Sequence, residues 1–187
     1  MTAPHPPAVE TVPTPNPDAL MFRVGEVLVP SGTWEYRSRQ DATRSPLAQK
    51  LLANPGVELI LVAPRFVTVR KQPDADWHDL IADVTVRLQD FLLSGDMAVL
   101  DAEEAPALGP ARSPIERKIL ELIDEEIRPA VAQDGGDIEY VGFEEGVVAL
   151  RMTGACGTCP SSTATLKMGI EALLKEEIPE VESVVAV

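Results

Sequence analysis

Val147-Val148-Ala149-Leu150-Arg151-Met152, then Thr153-Gly154-Ala155-Cys156-Gly157-Thr158-Cys159, then Pro160-Ser161-Ser162-Thr163 is the stretch around which this chain organises itself. An apolar, strand-like run ends in a short Gly/Thr-rich loop, and a proline opens a helix-like run. The loop holds the two cysteines of the chain, in a C-x-x-C spacing. A pair at such a junction reads as a ligand or redox site rather than as packing. Two thiolates are half of what tetrahedral zinc or an iron–sulfur cluster takes from protein. With no third cysteine, a centre held by protein ligands alone must be shared by two chains.

The flanks support a ligand role. A helix start presents unpaired N–H groups and the positive end of a dipole, which predicts a lowered thiol pKa at Cys156 and Cys159. Pro160 suits the first helical position. Gly154 and Gly157 let the backbone close around a bulky centre, and Ser161, Ser162 and Thr163 offer hydroxyl donors to sulfur. Residues 113–187 carry six Lys/Arg against fifteen Asp/Glu, yet Gly146 to Ile170 contains no acid and includes Arg151 and Lys167. A negatively charged metal–thiolate centre would suit such a window. A buried strand and helix start, poor in charge of either sign, would look the same.

Working outward, the second half opens with Ser113-Pro114-Ile115-Glu116, a capping box with proline in the first turn. Ile115, Ile119, Leu122, Ile123 and Ile127 form a helical stripe, which Pro129 should kink or end. Gln133-Asp134-Gly135-Gly136-Asp137 reads as a turn, so Asp134 and Asp137 have turn and cap roles rather than forming a catalytic dyad. Ile138–Phe143 and Val147–Met152 make a hairpin about Glu144-Glu145-Gly146. Leu166, Ile170, Leu173, Leu174 and Ile178 give a second amphipathic helix, and Val181–Val187 a last strand.

The first half reads as strands and two helices. Ala19–Val24 and Val27–Tyr36 suggest a hairpin. Ser45-Pro46 starts a short helix that stops near Asn54-Pro55-Gly56. Val57–Val62 and Phe66–Arg70 suggest paired strands. Asp76 caps a long helix with Trp77, Leu80, Ile81, Val84, Leu88, Phe91 and Leu92 on its apolar face, ended by Gly95. No ligand cluster occurs there. His78 reads as a solvated first-turn residue, and His5 lies in the tail.

Pro6, Pro7, Pro13, Pro15 and Pro17 mark residues 1–17 as a disordered tail. Acid, proline and glycine mark 96–112 as a linker. The predicted organisation is therefore tail 1–17, domain 18–95, linker 96–112 and cysteine-bearing domain 113–187. The predicted class is α+β: two small α/β-sandwich-like domains, the second in the order helix-strand-strand-helix-strand. Each is about 75 residues, a size that buries only about 60% of its unfolded surface.

Composition narrows the function. The net charge of −14 over 187 residues, without any basic cluster, argues against nucleic acid and against anionic membranes as partners. No run of about 18 apolar residues suggests a membrane span. Met1 to Pro17 has no Lys or Arg and no apolar run, so neither a secretory nor a mitochondrial leader is expected there. A cytoplasmic location follows as the expectation.

The motifs resemble those of the Nfu family of iron–sulfur cluster scaffold and carrier proteins. Ile127-Arg128-Pro129, Asp134-Gly135-Gly136-Asp137-Ile138, Cys156-Gly157-Thr158-Cys159-Pro160-Ser161-Ser162, Leu166-Lys167-Met168-Gly169-Ile170 and Ile178-Pro179-Glu180-Val181 are similar to a NifU-like C-terminal domain. Asn16-Pro17-Asp18-Ala19-Leu20, Ser45-Pro46-Leu47-Ala48, Gly56-Val57, Phe66-Val67-Thr68-Val69 and Asp76-Trp77 resemble the Nfu N-terminal domain. The resemblance implies a carrier and not an enzyme. It implies a 4Fe–4S cluster bridging a homodimer through Cys156 and Cys159, apo iron–sulfur proteins as clients and the cluster assembly machinery as donor. The alternatives are a thiol–disulfide redox protein and a zinc-bridged structural dimer. Twenty-eight residues follow Cys159, room for one helix and one strand, whereas a thioredoxin fold needs more.

Overall fold

The computed structural model describes residues 6–102, 113–157 and 160–187, the last range without the side chains of 160–162. The chain divides into two compact units, Met1–Ala105 and Pro106–Val187. Both mix helix and strand, so the predicted α+β class holds.

The first unit is a five-stranded antiparallel sheet in the order β1-β2-β5-β4-β3. Its strands are β1 (Val9–Pro13), β2 (Ala19–Val24), β3 (Trp34–Tyr36), β4 (Val57–Val62) and β5 (Phe66–Lys71), joined with helices α1 (Pro46–Leu51) and α2 (Trp77–Ser94). Both helices start where the side chains dictate. Ser45 Oγ accepts from the Ala48 N–H at 3.1 Å, and the Asp76 carboxylate from the His78 N–H at 2.8 Å. Gly95 closes α2 in the left-handed region at φ +71°. Leu80, Val84, Leu88 and Phe91 of α2 and Leu47 and Leu51 of α1 pack with Phe22, Ile60, Val62, Val67 and Val69 of the sheet.

Three expectations for this unit fail for identifiable reasons. Residues 9–13, placed in a disordered tail, form β1 along β2, with Val9 opposite Val24 and Pro13 opposite Leu20. Prolines are tolerated on an edge strand, and Val9-Glu10-Thr11-Val12 contains none. Val27–Tyr36 does not pair with β2. Pro30 and Gly32 (φ +74°) interrupt it, and only Trp34–Tyr36 is strand, paired with β4. Residues 96–102, assigned to the linker, belong to this unit. Ala98, Val99 and Ala102 are buried in its core, and the Leu100 N–H donates to the Arg44 carbonyl at 2.7 Å. Small apolar residues between acids read as linker but fit against a helix start. Residues 103–112 lie outside the described residues.

The second unit begins with α3 (Pro114–Leu122), a π-helical turn at Ile123–Ile127 and α4 (Arg128–Gln133). Ser113 caps α3 by accepting from the Glu116 N–H at 3.1 Å. Pro129 does not end the helix. The wider π turn just before it absorbs the proline, and the stripe Ile119, Ile123, Ile127, Val131 stays buried throughout. Next come β6 (Gly136–Glu144), β7 (Val147–Gly154), α5 (Pro160–Glu177) and β8 (Ser183–Ala186). β6 and β7 are antiparallel and β7 and β8 parallel. A parallel pair cannot be joined by a tight turn, so α5 is the crossover. The cysteine loop is the joint between β7 and that crossover. Among the described residues no helix is long and apolar enough to cross a membrane.

Ser45 ties the misassigned segment to the helix start: its hydroxyl also donates to the Ala98 carbonyl at 2.7 Å, with Ser45 fully buried. Ser45→Ala removes the cap and strands that carbonyl. It should lower the stability of the first unit by about 1–3 kcal/mol, read as a reduced urea midpoint at unchanged slope. An unchanged midpoint would return residues 96–102 to the linker.

Candidate metal centre

β7 delivers the first cysteine. The register sets Gly136, the first residue of β6, opposite Gly154, the last of β7. The turn Asp134-Gly135-Gly136 therefore lies beside the loop that follows β7. Gly154 adopts φ +67°, which turns the chain out of the strand. Ala155–Gly157 then forms one 3₁₀ turn before α5 starts at Pro160. Hydrogen bonds to both sides fasten this turn. The Ala155 N–H donates to the Gly135 carbonyl at 3.2 Å, and the Thr163 hydroxyl to the Cys156 carbonyl at 2.6 Å.

Cys156 points inward. It is 3% exposed and packs in the core of the unit with residues such as Met152 and Ile170. A Cβ built on Gly136 would lie 2.8 Å from Cys156 Sγ, and one on Gly157 2.4 Å from the Met152 carbonyl oxygen. Both glycines are there because backbone and sulfur come too close for a methyl group.

This burial overturns the expected thiol chemistry. Desolvation, with a smaller contribution from the negative charge of Asp134, pushes the Cys156 thiol up to about 11. The helix start was expected to lower it, but loss of water around the sulfur outweighs that dipole here. The acid-free window of the sequence is also not acid-free in space, because the turn before β6 brings Asp134 within electrostatic reach. Thr163 donates to a backbone carbonyl rather than to sulfur.

Thr158 and Cys159 lie outside the described residues, as do the side chains of Ser161 and Ser162. Among the described residues there is no group of three or more His, Cys, Asp or Glu side chains placed to hold a metal ion. Asp137 is structural. It accepts from Arg128 Nε at 3.1 Å and from the Ile138 N–H at 2.8 Å, locking α4 to the start of β6. His78 is exposed in the first turn of α2. The sequence did not reveal the contact of Gly136 with Cys156, the Thr163 bond or the reach of Asp134. The paired glycines at 135 and 136 were the available signal. Gly135 needs its positive φ (+75°), but Gly136 has none, so it is there for space.

Comparison with known proteins gives three findings. A family model described as the NifU-like domain matches residues 119–185, and one described as the N terminal of scaffold protein Nfu/NifU matches residues 9–95. The Homo sapiens protein named NFU1 iron-sulfur cluster scaffold homolog, mitochondrial, is 41% identical over 181 residues, covering 94% of this chain and 70% of that protein. Arabidopsis thaliana NifU-like protein 4, mitochondrial, is 41% identical over 182 residues, covering 94% of this chain and 64% of its own. The solution structure of a NifU-like protein from Saccharomyces cerevisiae superposes at a TM-score of 0.48 and 26% identity, covering 54% of this chain and 91% of its own.

These names overturn the cytoplasmic location expected from residues 1–17, since the relatives are mitochondrial proteins by name. The chain spans about two thirds of the length of these relatives.

Cys159→Ser leaves Cys156 as the sole thiol. Its thiolate ultraviolet absorbance should appear near pH 11 rather than in the ordinary thiol range. A raised folded-state pKa contributes stability that is present below the ordinary thiol pKa and lost as pH climbs through about 11. The second unit should therefore weaken over that interval, and Cys156→Ala should flatten the decline. A titration midpoint at or below 9 would remove the desolvation argument.

Proposed function

This chain belongs to the Nfu/NifU family of iron–sulfur cluster scaffold proteins, and from that premise we propose that two copies hold one 4Fe–4S cluster as cargo and pass it to apo-proteins. Cys156 and Cys159 of each copy are the four ligands. The observation that carries this reading is the sulfur count. The chain has two cysteines, in a single C-x-x-C spacing, and no rival ligand cluster among the described residues. Each thiol must lose its proton to ligate, so loading releases protons and strengthens as pH rises.

A catalytic role is not supported. A dithiol oxidoreductase depends on a thiol of lowered pKa, and the Cys156 thiol is raised. A half-share site suits a carrier, because the cluster is freed when a target's thiols replace those of one copy. The chain acts as two domains in this scheme: residues 106–187 carry the cargo, and the first unit, with no ligand cluster among its described residues, docks clients or positions the pair. Apo iron–sulfur proteins are the clients, and an assembly system that makes clusters is the donor.

Anaerobic loading of the full chain with iron and sulfide should yield about four of each per two chains, a brown colour and the mass of a dimer. Cys156→Ala or Cys159→Ala should each abolish retention. One cluster on a lone chain, or a colourless dimer that keeps only zinc, would defeat the reading. A chain beginning at residue 106 should load with the same stoichiometry but transfer to client apo-proteins more slowly. Equal transfer rates would remove the docking role of the first unit.

A further inference from the structure

We propose that the cysteine turn has a closed state, seen here, that withdraws Cys156 from metal. In it Gly136 makes room for the sulfur, Thr163 latches the turn, and the turn must open before Cys156 can ligate. The proposal rests on the carrier reading for its purpose but not for its test.

A centre shared between two chains needs its sulfur ligands at a surface. Cys156 is instead 3% exposed and packed in the core of its own unit. The described conformation is therefore not the ligating one. It is also not a loose one. The sulfur occupies a niche against the first residue of β6, where a Cβ on Gly136 would come 2.8 Å from Sγ and 3.1 Å from Cys156 Cβ. Since Gly136 has no positive φ, a side chain is excluded by space alone. Gly157 closes the turn back onto the Met152 carbonyl from the other side.

The same turn is built to move. Gly154 at φ +67° lies on one side and Gly157 on the other, and such residues absorb backbone change readily. Among the hydrogen bonds that hold the closed form are Ala155 N–H to the Gly135 carbonyl and Thr163 hydroxyl to the Cys156 carbonyl. One comes from the turn before β6 and the other from the first turns of α5, so a local swing breaks both without disturbing a strand register. An inert core cysteine would instead emerge only with global unfolding. The closed niche keeps the thiol from oxidants and stray metals between cargoes, and Thr163 and Gly136 set how often it opens.

The test reads the thiol without iron. In full-length Cys159→Ser, alkylation of Cys156 by iodoacetamide should be at least about tenfold slower in native buffer than in unfolding urea. At low urea its rate should be nearly flat, the mark of local opening. Thr163→Val keeps the side-chain shape and removes one net hydrogen bond, so it should speed alkylation about three- to tenfold, with the rate still flat at low urea and the urea midpoint lowered only by the loss of that one bond. Gly136→Ala should speed it at least as much. In the two-cysteine chain, Thr163→Val should raise the rate of iron and sulfide uptake by a similar factor at unchanged final content. Native alkylation as fast as in urea would overturn the proposal. So would a rate that tracks global unfolding, no change in either variant, or a faster thiol with unmoved uptake. A chain that guards Cys156 in this way but never retains a cluster sinks the carrier reading and leaves the closed turn standing.

Discussion

The contact between the start of β6 and the turn after β7 is the constraint on which the second unit depends. The pairing of Gly136 with Gly154 fixes where the strand ends. The absence of a side chain at Gly136 lets the next turn fold inward over that end. From there α5 can start and cross over to lay β8 parallel to β7. The same approach places the sulfur among the core residues that the helical stripe Ile119, Ile123, Ile127, Val131 packs against. Fold and site thus share one close contact, and one methyl group at position 136 presses on both. Arg128 reinforces the arrangement from outside: it binds Asp137 and the Ile138 carbonyl, which holds the turn before β6 to α4.

Local chemistry made much of this legible beforehand. Ser45, Asp76 and Ser113 cap helices as their neighbours suggest, because a hydroxyl or carboxylate next to an apolar periodic run has few better partners than free N–H groups. The order of elements in the second unit follows from periodicity and from glycine and proline punctuation. Ala98–Ala102 and the irregular run from Val27 are held by partners far along the chain, at the start of α1 and on β4, and Val9–Pro13 by the nearby edge of β2. Composition sees prolines and acids at these places. It does not see that β2 has an open edge, or that the carbonyl of Ala98 meets a buried hydroxyl. At Pro129 the local rule predicted a kink or an end, and the structure has a π turn just before it with the buried stripe continuous across.

At the site the identity of the cysteines was readable and their environment was not. Spacing and count need only the sequence. The protonation state depends on what surrounds the sulfur, and that is set by the β6–β7 register. Two sequence-level arguments pointed to an easily ionised thiol, the helix start and the acid-free window. Both are one-dimensional. The helix dipole acts over the first turn and is worth little against removal of water from a thiolate. The window excludes acids along the chain, yet Asp134 sits twenty-two positions away and reaches the sulfur across the hairpin.

Burial of a ligand and delivery of a cargo are compatible on energetic grounds. A site preformed at the surface would offer its full intrinsic affinity and release slowly. When the competent conformation is a minor one, apparent affinity falls by the fraction of molecules open. Core packing of Cys156, its neutral thiol and the hydrogen bonds across the turn all stabilise the empty form, and each would be subtracted from the affinity for the proposed cargo. A client whose thiols are already exposed bears no such cost and wins the exchange. On the proposed ligand set the protein need not bind weakly through poor ligands: four thiolates would be a strong set, and the strength would be tempered by the state to which the turn returns. Under that proposal release gains a direction, because a departing cluster would leave behind a sulfur that the core takes back.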